Sequence, residues 1–227
     1  MHFLVDSHKK IVFGWSAKCG CSHVKTVFYF LTSGDKSPKI HSSKDSNALP
    51  INIQEYTTII VSRNPYERLV SGFLDKYKPN GEFRHLWKSY PLTFSNFVNA
   101  LLKNDWKHTE LHHFTPQLSE RFDERILSSK ILKVFDIKDI DYAYIEELFE
   151  KQIPETVIQK RFGHERNSQN LESDSFVKPI YDAPMVEYVN QKVAFKCFYN
   201  ERIRKLVYDF YRKDFEFFKA QGIEYSI

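Results

Sequence analysis

The chain reads as an α/β protein with a short central parallel sheet flanked by helices. Two apolar, β-branched runs, Lys10-Ile-Val-Phe-Gly-Trp15 and Thr57-Thr-Ile-Ile-Val-Ser62, each pass through a polar turn into a segment with helical spacing of its apolar residues. A third run, Ile131 to Phe135, has the character of a buried strand and precedes a helical pattern over Asp141 to Glu150. Strands that alternate with helices pair in parallel through right-handed crossovers. In such sheets the turns after the strands, and the helix N-termini they lead into, face the ligand. Two strand–turn–helix units therefore imply two phosphate sites.

The first turn, Ser16 to Ser22, contains one glycine, one lysine and otherwise small residues, so its backbone N–H groups can wrap an anion. It is not a Walker A loop. Five residues separate Gly14 from Gly20, and Lys18 precedes the second glycine rather than following it. A lysine placed early in the loop reaches the bridging oxygen of a bound anhydride, and Ser22 at the helix start is expected to cap the helix and bind the phosphate together. The second turn puts Arg63 directly after a strand, Pro65 near the first helical position and Ser71 two turns into the helix. A guanidinium fork suits a terminal phosphate, and the serine hydroxyl adds a donor. Leu69, Val70, Phe73, Leu74 and Tyr77 form the stripe that this helix buries. Taken singly, Lys18, Arg63 and Ser71 each also read as ordinary solvated residues; the repeated context argues for the ligand reading.

Further elements follow in order. Leu31 to Glu55 mixes Ser, Lys, Asp, Asn and Pro with little periodicity and is read as a connection bordering a cleft. Leu92 to Lys103 has helical spacing through Phe94, Phe97, Val98, Leu101 and Leu102. Glu165 to Val177 is polar and read as a loop. A long helical pattern covers Glu187 to Lys219, with Val193, Phe195, Val207, Phe210, Tyr211 and Phe218 as its core residues.

Composition narrows the function classes. A length of 227 residues suits one domain over 1–227 with a substantial core. The formal charge of +4 fits an anionic ligand or an acidic acceptor, and without a clustered basic face it does not point to nucleic acid. No run approaches the ~20 apolar residues of a membrane span, and Met1 to Lys10 lacks the apolar stretch of a signal peptide. Cys19, Cys21 and Cys197 do not make a disulfide framework, which favours a reducing compartment. Cys19 and Cys21, with one residue between them and no matching pair elsewhere, give only a weak redox or metal signal. His108, His112 and His113 have helical spacing but no His-Glu-x-x-His signature, so solvated or structural roles are the reading for His108 and His112.

Ala17-Lys-Cys-Gly-Cys-Ser-His-Val-Lys25 resembles the 5′-phosphosulfate loop of sulfotransferases that use 3′-phosphoadenosine 5′-phosphosulfate (PAPS). In particular it resembles the carbohydrate sulfotransferase branch, sulfotransferase family 2, whose loop reads Pro-Lys-x-Gly-Cys-Ser/Thr-x-x-Lys. Arg63-Asn-Pro-Tyr-Glu-Arg-Leu-Val-Ser-Gly-Phe73 resembles that family's 3′-phosphate motif, with arginine and serine eight apart. Thr93-Phe-Ser-Asn-Phe97 with His113-Phe-Thr-Pro-Gln117, then His164-Glu-Arg-Asn-Ser168, then Tyr208 to Phe215 are similar to later family segments in the same order. Ala17 stands where the family usually has proline, Phe114 where many animal members have tryptophan, and the paired cysteines of secretory members are not visible.

The resemblance implies a P-loop-like three-layer fold and in-line sulfuryl transfer from PAPS to a hydroxyl acceptor, on a carbohydrate in this branch. Lys18 would neutralise the leaving phosphate oxygen. Cys19, Gly20, Cys21, Ser22 and His23 would hold the 5′-phosphosulfate, and Arg63 and Ser71 the 3′-phosphate. His113 is the candidate base, with a structural role before Pro116 as its rival reading. His164, Asn167 and Ser168 would close over the ligand or cap a turn. No metal is expected. The expected location is cytoplasmic, with a trimmed Golgi lumenal domain as the other reading, and neither the oligomeric state nor the acceptor is legible. A P-loop kinase using Mg-ATP and a non-catalytic nucleotide-binding protein are the rival classes.

Overall fold

The computed structural model describes residues 1–35, 48–88, 91–105, 107–118, 122–159, 179–191 and 193–227. The residues His164, Asn167 and Ser168, the loop read over Glu165 to Val177, and much of the connection after Leu31 lie outside them. Two compact units are present, the first from 1–63, 117–165 and 220–223, the second from 64–116, 166–219 and 224–227.

The first unit is an α/β sheet unit. Strands β1 (His2–Asp6), β2 (Ile11–Trp15), β3 (Thr57–Ser62) and β4 (Ile131–Asp136) form one sheet in the order β1-β2-β3-β4. β2, β3 and β4 run parallel, as their apolar character predicts. Every residue of β2 and β3 is buried, the condition under which a strand reads as a continuous apolar run rather than an alternating one. β4, at the sheet edge, is more open.

β1 is an addition to the predicted sheet and pairs antiparallel with β2, Leu4 opposite Phe13. Its hairpin turn carries no glycine. The Asp6 carboxylate accepts the N–H groups of His8 and Lys9, both at 2.9 Å, and Lys10 takes a left-handed φ of 54°. A turn closed by an aspartate side chain leaves none of the usual hairpin punctuation, so the strand before it was not legible.

Helix α1 (Cys21–Ser33) follows β2 and buries Val24, Val27, Phe28 and Leu31 with Phe13, Trp15, Ile59 and Val61. It ends at Gly34, whose left-handed φ of 79° lets its N–H reach the Phe30 carbonyl at 2.9 Å. Helices α4 (Tyr142–Phe149) and α5 (Glu155–Ile158) add Ile145, Phe149 and Val157 to the same core.

The second unit is helical with an aromatic core. Helix α2 (Pro65–Tyr77) starts at Pro65, where the sequence places it, and α3 (Phe94–Leu102) lies within the expected Leu92 to Lys103 segment, starting after Thr93, whose side chain accepts the Asn96 N–H at 3.1 Å. Phe73, Tyr77, Phe94, Phe97, Phe114 and Phe198 are fully buried, with ring centroids 5.1 Å apart for Phe73 and Phe97 and 4.9 Å for Phe97 and Phe114. The long C-terminal helix expected over Glu187 to Lys219 is instead broken into a 3₁₀ turn at Phe195–Phe198, α6 (Glu201–Phe210) and α7 (Arg212–Ala220). Asn200 makes the first break by accepting the Ile203 N–H at 2.8 Å as an N-cap. Tyr211 sits at the second, where its hydroxyl donates to the Phe114 carbonyl at 2.6 Å. Of the expected core positions, Val207, Tyr211 and Phe218 are fully buried, and Val193, Phe195 and Phe210 pack partly buried against that core.

Candidate functional site

In the first unit, the turn between β2 and α1 has an unusual backbone. Lys18 has φ 67° and Gly20 φ 70°, both left-handed, with Cys19 between them outside that region. Alternating handedness is the backbone pattern of the concave turns that bind anions; within it the Cys19 N–H donates to the Ser16 carbonyl at 3.1 Å and closes the turn. For Lys18, a left-handed backbone costs a non-glycine residue of order 1–2 kcal/mol, and such strain persists where the surroundings over-determine it. Gly20 is required twice over: its φ is left-handed, and an added Cβ would stand 2.4 Å from Ile137 Cδ1.

Helix α1 begins with Gly20 as its N-cap, without a side-chain cap and without an acidic residue in its first turn. Ser22 therefore does not cap the helix as expected; it lies inside the first turn, partly exposed. A helix end that lacks both a side-chain cap and a neighbouring carboxylate favours an anion through its dipole. Cys19 is buried and Cys21 partly so, and none of the three cysteines is in a disulfide. His23 is buried in α1 with Nε2 2.6 Å from the Tyr142 hydroxyl, an edge-on ring pair that holds it against α4. Lys25, the last residue of the loop motif, is buried with Nζ 4.5 Å from the Trp15 ring centroid.

Arg63, just past β3, is brought to this same turn. Its Nη1 donates to the Lys18 carbonyl at 3.2 Å. Its backbone is held by Gln117, whose Oε1 accepts the Arg63 N–H at 3.1 Å and whose Nε2 donates to the Arg63 carbonyl at 2.9 Å. The Cys19 thiol donates to the same Oε1 at 2.9 Å. Lys18, Cys19, Gly20, Cys21, Ser22, His23 and Arg63 therefore lie in one unit.

Ser71 and His113 belong to the second unit. Ser71 lies partly exposed on α2. The His113 loop is tied to that helix at three points. The buried Arg68 donates from Nη1 to the Thr115 carbonyl at 2.8 Å, the Tyr77 hydroxyl accepts the Glu110 N–H at 3.1 Å, and the Phe114 ring lies where a Cβ on Gly72 would be only 2.6 Å away. Within the loop, Glu110 Oε2 is 2.7 Å from His113 Nδ1 and accepts the His113 backbone N–H at 3.1 Å.

Burial of Glu110 disfavours its charge, but the His113 side-chain and backbone hydrogen bonds outweigh that and hold its carboxyl below the ordinary range. An ionised carboxylate only accepts, so Nδ1 carries the hydrogen, and in the neutral ring Nε2 is the lone-pair nitrogen. His108, by contrast, is paired with Asp105 at 2.8 Å, in keeping with the structural role read for it.

Sequence reasoning missed Arg68, Glu110 and Gln117 as contributors. Arg68 and Gln117 stand inside the quoted motifs, and a carboxylate three residues before His113 is a visible signal for Glu110.

The model of the sulfotransferase family, Sulfotransfer_2, matches residues 1–221 of the chain. The chain belongs to the sulfotransferase family. Sulfuryl transfer is thus its reaction class, and the mixed α/β sheet of the first unit fits the P-loop-like fold. No curated protein and no solved structure matches this sulfotransferase. Among its described residues no helix is long and apolar enough to cross a membrane, and no group of three His, Cys, Asp or Glu could hold a metal ion.

Proposed function

We propose that this sulfotransferase moves the sulfuryl group of PAPS to a hydroxyl acceptor on a carbohydrate, as a single domain over 1–227 located in the cytoplasm and without a metal. The observation that carries the donor assignment is the left-handed Lys18–Gly20 turn leading into a helix without a side-chain cap, with the Arg63 guanidinium bonded to the Lys18 carbonyl. That set offers backbone amides and a helix end for one phosphate, and a guanidinium for a second, which is the donor chemistry a 3′,5′-substituted nucleotide needs. The donor nucleotide supplies an activated sulfuryl group on its 5′-phosphate.

The turn residues Cys19, Gly20, Cys21, Ser22 and His23 bind and orient the 5′-phosphosulfate end. Arg63 and Ser71 take the 3′-phosphate, a group that ATP and ADP lack. Transfer passes through a loose in-line transition state in which charge collects on the leaving oxygen, and Lys18 neutralises it there. The acceptor hydroxyl loses its proton to His113 Nε2, with the Glu110 carboxylate holding Nδ1–H and stabilising the imidazolium that forms. The acceptor oxygen gains the sulfur as the bond to the phosphate oxygen breaks.

Calorimetry with adenosine 3′,5′-bisphosphate, ADP and Mg-ATP, followed by transfer from radiolabelled PAPS to a panel of sugars, tests the assignment. Tight bisphosphate binding without metal and labelled sugar are the expected results. Binding of Mg-ATP alone would move the protein to the kinases, and bisphosphate binding without transfer to any hydroxyl would make it a nucleotide-binding protein. His113→Ala should abolish transfer while bisphosphate affinity stays within about twofold; near-normal transfer would return His113 to a structural role.

A further inference from the structure

Gln117 lies 54 positions from Arg63 in the chain, and only 1% of it is exposed. Its amide engages both phosphate turns: Oε1 takes the Cys19 thiol at 2.9 Å and the Arg63 N–H at 3.1 Å, while Nε2 gives a hydrogen to the Arg63 carbonyl at 2.9 Å. β3 ends its ladder at Ser62, paired with Asp136. At the next residue the Gln117 amide takes both the backbone N–H and the backbone C=O of one residue, which is what an opposing residue of a further strand would do. The side chain thus extends the order of the sheet by one residue into the turn. Through Cys19 it ties that residue to the turn after β2.

We infer that Gln117 is a positioning residue that sets the spacing between the 5′- and 3′-phosphate subsites, and so determines how strongly the enzyme prefers a bisphosphate over a nucleotide with one phosphate. This rests on the donor-site reading above. A ligand gripped at two points gains from the second grip only if both subsites are already held at the ligand's own spacing. Loosening the tie should leave each subsite able to bind alone and remove the gain from binding both.

The test compares adenosine 3′,5′-bisphosphate with adenosine 5′-monophosphate by calorimetry on the parent, Gln117→Met and Gln117→Glu, with thermal unfolding of each. Methionine fills the same space without the three hydrogen bonds. The expected result is a folded Gln117→Met protein in which the bisphosphate preference falls at least tenfold while monophosphate affinity changes little. Gln117→Glu provides a second route. A buried, protonated glutamic acid donates and accepts like the amide, whereas the ionised form cannot donate to the Arg63 carbonyl. Its preference should approach the parent's at low pH and fall as pH rises, measured against the parent at each pH.

An unchanged preference in folded Gln117→Met, or a parental preference in Gln117→Glu at a pH where infrared spectroscopy shows the new carboxyl ionised, overturns the positioning role while the donor site stands. A parent protein with no bisphosphate preference removes the donor-site reading and this inference with it.

Discussion

The two strand–turn–helix units share a plan and differ in how their helices begin. Helix α1 starts at Gly20 with no side-chain cap and no acidic residue in its first turn, behind a turn strained at Lys18. Helix α2 starts at Pro65 behind Asn64, whose side chain accepts the Tyr66 N–H at 3.0 Å, and Glu67 sits in its first turn. A helix end that already has a cap and a carboxylate has less to offer an anion. On the donor-site reading proposed above, the first turn would bind with its backbone and the second with its side chains. One architecture repeated along a chain does not imply one mode of recognition.

The largest effect that bears on this contrast is at Lys18. Lys18→Ala should lower the transfer rate roughly 10²- to 10³-fold, as expected for losing a preorganised charge at a developing anion. Bisphosphate affinity should change far less, because the backbone does the holding; equal loss of both would show that the lysine is a binding group. Next is Gly20→Ala, which forces a left-handed alanine against Ile137. A destabilisation of about 2–4 kcal/mol in urea unfolding is expected, with loss of 5′-phosphate binding. Gly34→Ala, also left-handed but with open space around its Cβ, is the control that separates strain from clash.

Arg63→Ala should weaken bisphosphate binding roughly 10- to 100-fold, the range of a lost charge-assisted hydrogen bond. Lysine should not restore it, since it lacks the planar fork. Smallest is Asn64→Ala, which removes the cap and the Nδ2 bond to the Ser226 carbonyl, about 1–2 kcal/mol together, read as a few degrees in thermal unfolding with nucleotide affinity unchanged. An affinity loss there as large as that of Arg63→Ala would mean the α2 end binds the anion after all, and the contrast between the turns would fail.

Acidification offers a separate check in the helical unit. The Glu110 carboxyl is held below its ordinary value of about 4.5, so its contribution to stability is complete above that pH and is lost as pH falls through the lower folded value. Denaturant titrations from pH 5 to 3 should show this part of the acid sensitivity disappear in Glu110→Gln.

Much of this arrangement was legible locally. The buried runs of β2 and β3, Pro65 at a helix start and a glycine inside the first turn are signals confined to a few neighbouring residues, and the structure places them as read. Expectations failed where side chain and backbone exchanged tasks. The Asp6 carboxylate closes a hairpin that carries no glycine, Asn200 starts a helix inside a longer periodic pattern, and Gly20 rather than Ser22 stands at the cap of α1.

The sequence by itself determined β2, β3 and β4, helices α2, α3 and α4, the two turns and the family pattern, because hydrophobic period and turn chemistry act over one or two turns of chain. Only the tertiary structure decided what Arg68, Glu110 and Gln117 do. The hydrogen bonds of Arg68 and Gln117 join residues 47 and 54 positions apart. No local pattern encodes such partners: a buried guanidinium or amide takes whichever carbonyl and N–H the folded chain leaves beside it, since leaving them unpaired would cost about 1–3 kcal/mol each. Glu110 is near His113 in sequence, but it was the loop's attachment to α2 through Tyr77, Arg68 and Phe114 that turned that proximity into a hydrogen bond of 2.7 Å.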